Sequence, residues 1–274
     1  MISIQERIIT AYDNGISDTA VQELFEVFID QLDRGCIRAV SYDNGEWSVN
    51  SWVKKGILLG FRIGRLVFQQ DGLFGFCDKG TYPVKQFLLT DAVRVVPGGT
   101  SVRRGAYCAP GIVIMPPSYI NVGAYVDAGT MIDSHVLIGS CAQIGKRCHI
   151  SAGVQVGGVL EPIQGSPVII EDEVFIGGQC GIYEGVVVRG HAVLATGTIL
   201  TASTVLYDAV HERIIRPDQR GRLIVPEGAV VVPGSRPVHN EFGKTHGLAV
   251  YTPIIVKYRD EKTDVRVALE EGLR

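Results

Sequence analysis

Aliphatic side chains recur at every sixth position through the middle of the chain. An even period keeps these side chains, called anchors below, on one side of a strand, because successive strand residues point to opposite faces. The series is interrupted after Val156 and again after Leu206. The anchors are Val102, Cys108, Ile114, Ile120, Val126, Ile132, Ile138, Ile144, Ile150, Val156, Ile170, Ile176, Ile182, Val188, Leu194, Leu200 and Leu206, with a last pair at Val225 and Val231.

A six-residue period leaves room for one short strand and one corner. Three such units make a triangular coil, and successive coils stack as parallel strands about 4.8 Å apart. Small residues are common four places after an anchor, where the walls converge. Gly and Asp are common one place after it, and we expect unusual backbone angles there. The pattern therefore predicts a mainly β fold, a parallel β-helix of hexapeptide repeats.

Helical spacing replaces this pattern in the first hundred residues, which read as a mixed α/β domain, 1–100. Ser3 to Glu6 has the form of a capping box that opens a helix. A second helix is predicted from Val21 to Leu32, and Asn44-Gly45 predicts a hairpin. The stretch Ser51 to Gly64 is either a buried helix or a strand, because its periodicity does not separate the two.

Two further boundaries follow from the repeat. We predict the β-helix over 101–247, with an inserted loop at 158–167 that projects from one corner and lies over an adjacent subunit. The tail, 248–274, reads as one or two strands and a closing helix. Its predicted role is to cap the open end of the prism, where strand edges would otherwise be exposed.

Composition and charge exclude several classes of protein. The net charge of −3 gives no sign of a nucleic-acid-binding face, and no apolar run is long enough to span a membrane. The first residues lack the pattern of a signal peptide, and the six cysteines form no CxxC pair. We therefore expect a cytoplasmic protein with reduced thiols, no bound metal, and neither a membrane nor a nucleic acid as partner.

Several longer stretches resemble one family. They are "SYINVGAYVDAGTMIDSHVLIGSCAQIGKRCHIS", "GVQVGGVLEPIQGSPVIIEDEVFIG", "AVRVVPG", "SWVKKGILLGFRIG" and "FCDKG". Together they resemble the tetrahydrodipicolinate N-succinyltransferases, over nearly the whole chain. The resemblance implies a left-handed β-helix and a homotrimer. It also implies transfer of succinyl from succinyl-CoA, the co-substrate, to the amine of ring-opened tetrahydrodipicolinate in lysine and diaminopimelate biosynthesis, with no permanently bound cofactor.

The resemblance also assigns substrate residues. Arg94, in "AVRVVPG", matches the family's substrate-binding arginine, and Asp133, in "TMIDSHV", matches its substrate-contacting aspartate. Where better-known members read "SEVVEG", this chain reads "CGIYEG", so Gly181 replaces a glutamate with an assigned catalytic part. Glu184 matches the second glutamate, and we predict it and Asp133 as the catalytic residues. Three alternatives stay open: Glu184 takes over the catalytic role, the base lies elsewhere, or the family glutamate is dispensable.

A groove for CoA is expected along the later coils, with a further contact from the tail. Arg62, Arg103 and Arg104 are lesser substrate candidates, and His135, His191, Cys148 and Cys180 are predicted to be structural. The residues predicted to bind CoA are Gly157, Gly158, Ala195, Thr196, Ala202 and Lys257.

Three other functions compete with a succinyltransferase. The first is an acetyl-CoA-dependent N-acyltransferase acting on the same or a related amino-dicarboxylate. The second is a β-helical scaffold without activity, and the third is a metal-dependent hydratase. The last is disfavoured because the six histidines lack the close pair that such a metal site needs.

Overall fold

A computed structural model describes residues 2–15, 18–72 and 74–260. Its N-terminal part holds three helices, two hairpins and a short 3₁₀ turn at Leu89–Asp91. The helices are α1 (Ile4–Asp13), α2 (Thr19–Asp33) and α3 (Ser51–Ile63). The hairpin strands are β1 (Val40–Asp43), β2 (Glu46–Val49), β3 (Leu66–Asp71) and β4 (Phe74–Lys79).

The local signals of the first two helices and the first hairpin are confirmed. The Ser3 hydroxyl accepts from the Glu6 backbone N–H, and the Glu6 carboxylate accepts from the Ser3 N–H in return. The stretch left open between helix and strand forms α3. Gly56 lets that helix approach α2 closely, since a Cβ there would lie 2.4 Å from the Phe28 ring.

Short parallel strands follow from Arg94 onward. They are β5 (Arg94–Val95), β6 (Ser101–Val102), β7 (Tyr107–Cys108), β8 (Val113–Ile114), β9 (Tyr119–Ile120), β10 (Tyr125–Val126), β11 (Met131–Ile132), β12 (Leu137–Ile138), β13 (Gln143–Ile144), β14 (His149–Ile150), β15 (Gln155–Val156), β16 (Ile169–Ile170), β17 (Phe175–Ile176), β18 (Gly181–Ile182), β19 (Val186–Val188), β20 (Val193–Leu194) and β21 (Ile199–Leu200).

The remaining elements form the last coil of the stack and cover its far end. They are β22 (Leu206–Asp208), β23 (Arg213–Ile215), β24 (Leu223–Val225), β25 (Ala229–Val232), β26 (Ser235–Pro237), the helix α4 (Glu241–Thr245), β27 (Ala249–Tyr251) and β28 (Ile254–Tyr258).

Every third strand belongs to the same flat sheet, so each coil contributes one strand to each of three faces. The register is 18 residues, as in the pairing of Val126 with Ile144 and of Ile132 with Ile150. The first face contains β7, β10, β13, β16, β19 and β24; the second contains β5, β8, β11, β14, β17, β20 and β25; the third contains β6, β9, β12, β15, β18 and β21. The predicted parallel β-helix is confirmed.

The anchors form the core of the prism. All of those predicted from the sequence are buried, and the most exposed, Cys108, shows 7% of its surface. They belong to one continuous hydrophobic cluster that runs the length of the stack. Because each anchor lies above and below another aliphatic side chain, the six-residue period is explained by burial alone.

The corners differ from the expectation. The left-handed backbone angles lie three residues after the anchors, as at Gly123 (φ +79°) and His135 (φ +62°), and not one residue after them. Glycine one place after an anchor has another cause, the close approach of the next coil. A Cβ on Gly139 would lie 2.1 Å from the Gly158 nitrogen, and one on Gly177 would lie 2.5 Å from the Thr196 nitrogen.

The ends of the stack and the inserted loop contact the same chain. The stack begins with Arg94–Val95, which pairs with β8. The inserted loop folds onto the N-terminal domain, where Leu160 packs against the helical core. In the tail, β28 pairs with β25 and β22 and so covers the end of the second face. The predicted closing helix lies outside the described residues.

Truncation of one anchor tests this core. Ile138→Ala should lower the free energy of unfolding by about 2–5 kcal/mol, because a buried side chain is lost and a cavity remains. Leu137→Ala, on the same strand but pointing outward, is the matched control and should cost less than half as much. Urea unfolding of both variants makes the comparison, and equal losses would contradict the assignment of inside and outside.

Candidate active site

The third face and the two corners beside it hold most of the predicted site residues. One border, called the Asp133 corner, contains the turns 133–135, 151–153, 177–179 and 195–197. The other border, called the Glu184 corner, contains residues 121–123, 139–141, 157–158, 183–185 and 201–204. The first face differs because the hairpin β1–β2 covers it, with Trp47 donating from Nε1 to the Glu171 carboxylate at 2.8 Å.

Asp133 is held by its own turn. Its Oδ1 accepts from the Ser134 backbone N–H at 2.7 Å, and its carbonyl accepts from the Ser118 hydroxyl. Asp127, at the equivalent place one unit earlier, makes the same contact with the Ala128 N–H at 2.8 Å. Local geometry therefore does not single out Asp133, and its predicted substrate role rests on the sequence match.

Glu184 lies beside the inserted loop and is exposed. The next residue, Gly185, donates its N–H to the Ser166 carbonyl at 3.0 Å, which ties this corner to the end of the loop. Lys54 on α3 also contacts the inserted loop, because its Nζ donates a hydrogen bond to the Gly165 carbonyl at 2.5 Å.

Lys54 is a buried cation that sequence reasoning missed, and it is 0% exposed. Burial lowers the pKa of Lys54, while the neighbouring Cys141 thiol and the Glu184 carboxylate act in the opposite direction. The helix places Lys54 on the buried side with Val53 and Ile57, and the sequence would have indicated this only if Ser51 to Gly64 had been taken as a helix.

The two predicted catalytic residues are not brought together within one chain. The Asp133 corner leads into β12, whereas Glu184 follows β18, two strands further along the third face. Two strand spacings amount to about 10 Å along the prism. The width of the face adds to this separation, because the two residues border it on opposite sides.

The predicted CoA residues divide between the same two corners. Ala195 and Thr196 lie at the Asp133 corner, and Gly157, Gly158 and Ala202 lie at the Glu184 corner. These five residues therefore border one face, the third.

Lys257 lies apart from the other predicted CoA residues. It is on β28 over the second face, and its Nζ forms an ion pair with Asp260 at 3.0 Å.

Arg94 lies on β5 and is exposed, two strands before β11 on the second face. Its side chain makes no ion pair with any residue that the structure describes. The three lesser candidates make structural contacts instead: Arg62 acts within the N-terminal domain, and Arg103 and Arg104 join that domain to the first coil. Arg62 donates to the Tyr12 carbonyl, Arg103 pairs with Asp78, and Arg104 pairs with Glu26.

Gly181 marks the departure in the sequence motif, and the structure fills the space above it. A Cβ on Gly181 would lie 2.7 Å from Cε2 and 3.0 Å from the hydroxyl oxygen of Tyr183. The Tyr183 ring therefore lies over the third face at the point where a longer side chain at 181 would project. No periodicity marks Tyr183, so nothing in the sequence pattern singles it out.

The remaining side chains of interest occupy structural positions. His135 and His191 both adopt left-handed corner conformations. Cys148 and Cys180 are buried in the prism, and burial raises the pKa of the Cys180 thiol.

Within residues 2–15, 18–72 and 74–260, no group of three or more His, Cys, Asp or Glu side chains is placed to hold a metal ion. None of the helices described there is long and apolar enough to cross a membrane.

Two family models match the chain. Residues 3–63 match the N-terminal domain of tetrahydrodipicolinate N-succinyltransferase, and residues 167–202 match the hexapeptide repeat of succinyl-transferase. Together with the stacked coils, these matches define the class as a hexapeptide-repeat acyltransferase.

Full-length relatives identify the family. Proteins from Idiomarina loihiensis, Legionella pneumophila (strain Corby) and Azoarcus sp. are 42%, 45% and 44% identical, cover all of this chain, and match 98–99% of their own length. Each is named 2,3,4,5-tetrahydropyridine-2,6-dicarboxylate N-succinyltransferase. The chain belongs to the tetrahydrodipicolinate N-succinyltransferase family.

Solved structures resemble the chain more distantly. A hexapeptide transferase family protein from Anaplasma phagocytophilum is 15% identical with a TM-score of 0.34, covering 66% of this chain and 84% of that one. The acetyltransferase domain of PglB from Neisseria gonorrhoeae, in complex with acetyl coenzyme A, is 15% identical with a TM-score of 0.24, covering 52% and 51%. At these scores neither structure assigns a ligand to this chain.

Lys54→Met tests whether the buried cation shapes the site. The variant keeps the length of the side chain but loses the bond to Gly165, so the inserted loop should loosen and KM for the acyl-CoA should rise about tenfold. The thermal midpoint should change little, because removing a buried charge also removes its desolvation cost. Lys55→Met, which removes a surface pair with Asp13, is the control. An unchanged KM for Lys54→Met would contradict the role.

Proposed function

We propose that the protein transfers a succinyl group from succinyl-CoA to the amine of ring-opened tetrahydrodipicolinate, in the succinylase branch of lysine and diaminopimelate biosynthesis. The observation that carries the proposal is the match to N-succinyltransferases over the full length of both chains at 42–45% identity. The third face supports it, because it offers a long open surface bordered by small residues, suited to a narrow apolar pantetheine arm.

The chemistry requires a neutral amine, since only a neutral amine attacks a thioester. The amine nitrogen forms a bond to the thioester carbonyl carbon, the C–S bond breaks, and CoA leaves. The proton lost by nitrogen passes to the Glu184 carboxylate and then to the departing thiolate, so no covalent enzyme intermediate is needed. Asp133 orients the amine, and the Arg94 guanidinium binds a substrate carboxylate through its forked donors.

We infer that the active form is a homotrimer in the cytoplasm. Within one chain, Asp133 and Glu184 border opposite sides of a face and are about 10 Å apart along the prism, too far to act on one reacting nitrogen. A neighbouring prism supplies the missing partner if its Asp133 corner approaches the Glu184 corner of the first. Flat walls and a threefold arrangement permit this contact around a closed ring.

A thiol-release assay tests the reaction itself. With an aminopimelate-type acceptor, succinyl-CoA should release CoA, and kcat/KM with acetyl-CoA should be lower by about tenfold or more, because a site built for a carboxylate is left with unpaired donors by acetyl. Faster turnover of acetyl-CoA would favour the acetyltransferase alternative. Absence of thiol release from either donor would favour a scaffold.

Mixed assemblies test the shared site. Asp133→Asn and Glu184→Gln should each lower kcat about a hundredfold when assembled alone, because each removes one member of the pair. Equal mixtures, unfolded and refolded together, should recover about a quarter of wild-type activity, since that share of interfaces joins two unaltered residues.

The control is each variant refolded alone, and its assembly mass should be three times the 29.7 kDa of one chain. No recovery in mixed trimers would show that the two residues act within one chain.

A further inference from the structure

The Tyr183 ring lies on the third face over two glycines, Gly157 and Gly181. The ring passes over Gly181, and its Cδ1 would lie 3.1 Å from a Cβ on Gly157. Any side chain at 181 would meet the ring at 2.7 Å or the hydroxyl oxygen at 3.0 Å. The two glycines therefore leave room for the ring to lie close to the backbone of two successive coils.

The surroundings of the ring are open. Tyr183 is 38% exposed, and the neighbouring Ile199 and Tyr251 are 37% and 46% exposed. The Tyr251 hydroxyl is already engaged, because it accepts from the Ile199 N–H at 2.6 Å. The Tyr183 hydroxyl has no hydrogen-bond partner in the part of the chain that the structure describes. It is thus a donor available to a bound molecule, on the residue next to Glu184.

We propose that the Tyr183 hydroxyl donates a hydrogen bond to the thioester carbonyl oxygen of the acyl donor and so stabilises the oxyanion that forms there. The assignment rests on the proposed succinyl transfer and names a further catalytic residue for it. Attack by the amine nitrogen moves the carbonyl π electrons onto oxygen, and collapse of that intermediate expels the thiolate. The phenol keeps its proton throughout, while the proton from nitrogen goes to Glu184.

Two physical arguments favour a donor at this place. A neutral phenol stabilises developing negative charge without bringing a charge of its own into the groove. The ring also lies against the backbone of Gly157 and Gly181 before any substrate binds, in space that a side chain at either position would take. A preorganised donor stabilises the transition state more than the ground state, because the thioester carbonyl oxygen becomes fully negative only in the tetrahedral intermediate.

Tyr183→Phe is the direct test, because it removes the hydroxyl and keeps the ring. With succinyl-CoA and the acceptor, kcat should fall on the order of a hundredfold, with KM for succinyl-CoA and the thermal midpoint nearly unchanged. Gly181→Ala should lower kcat to a similar degree by displacing the ring. The double variant should be no worse than either single one, because both changes remove the same contact.

Tyr42→Phe is the matched control, since that exposed phenol lies on the hairpin over the first face, and its kcat should stay at the wild-type value. Unchanged kcat in Tyr183→Phe would overturn the proposal, as would a rise in KM alone, which would make the ring only a wall of the groove. If the wild-type protein itself releases no thiol, the proposed function fails. An active wild type with an equally active Tyr183→Phe refutes this role and leaves that function standing.

Discussion

Backbone pairing between coils in an 18-residue register is the constraint on which the rest of the structure depends. Strands of two residues make few hydrogen bonds each, so no coil is stable alone, and each is held by the coils above and below. The register requires that every anchor be apolar and fill the same width. A cavity at one level would loosen both neighbours, which explains why the six-residue period persists through so many coils.

The N-terminal domain depends on this stack and completes it. Helix α3 approaches the Glu184 corner closely enough that a Cβ on Gly123 would lie 2.7 Å from Ile57. The same helix carries Lys54 to the inserted loop. Burying the Lys54 cation carries a desolvation penalty, and an apolar contact would hold the loop without that penalty. The proximity of Lys54 to Glu184 links the position of the loop to the carboxylate that we place in the reaction.

The third face shows how a regular scaffold acquires a site. Its strands are equivalent in backbone, and the differences lie in what projects from them. On this face Gly181 leaves space that the Tyr183 ring occupies, and small residues lie at both borders. By contrast, a cavity of about 330 Å³ beside Trp47 is lined by Arg38, Asp127 and Glu171 and lies at another corner. The proposed site is therefore an open surface that a neighbouring prism would close.

The sequence by itself determined the β-helix, the inward side of each strand and the family, because an even period and a long matched stretch need no knowledge of contacts. It could not separate helix from strand at α3, because the periodicity of that apolar stretch suits either element; the structure forms a helix whose Gly56 packs closely against Phe28 of α2. It assigned left-handed backbone angles to the wrong corner position, because glycine is found both where such angles occur and where two coils pack closely.

Only the tertiary structure showed that Asp133 and Glu184 border opposite sides of one face, that Lys54 reaches the inserted loop, and that Tyr183 covers Gly181. Such relations join residues from different coils or different domains, and their distances follow from how coils stack in space, which a linear pattern does not record.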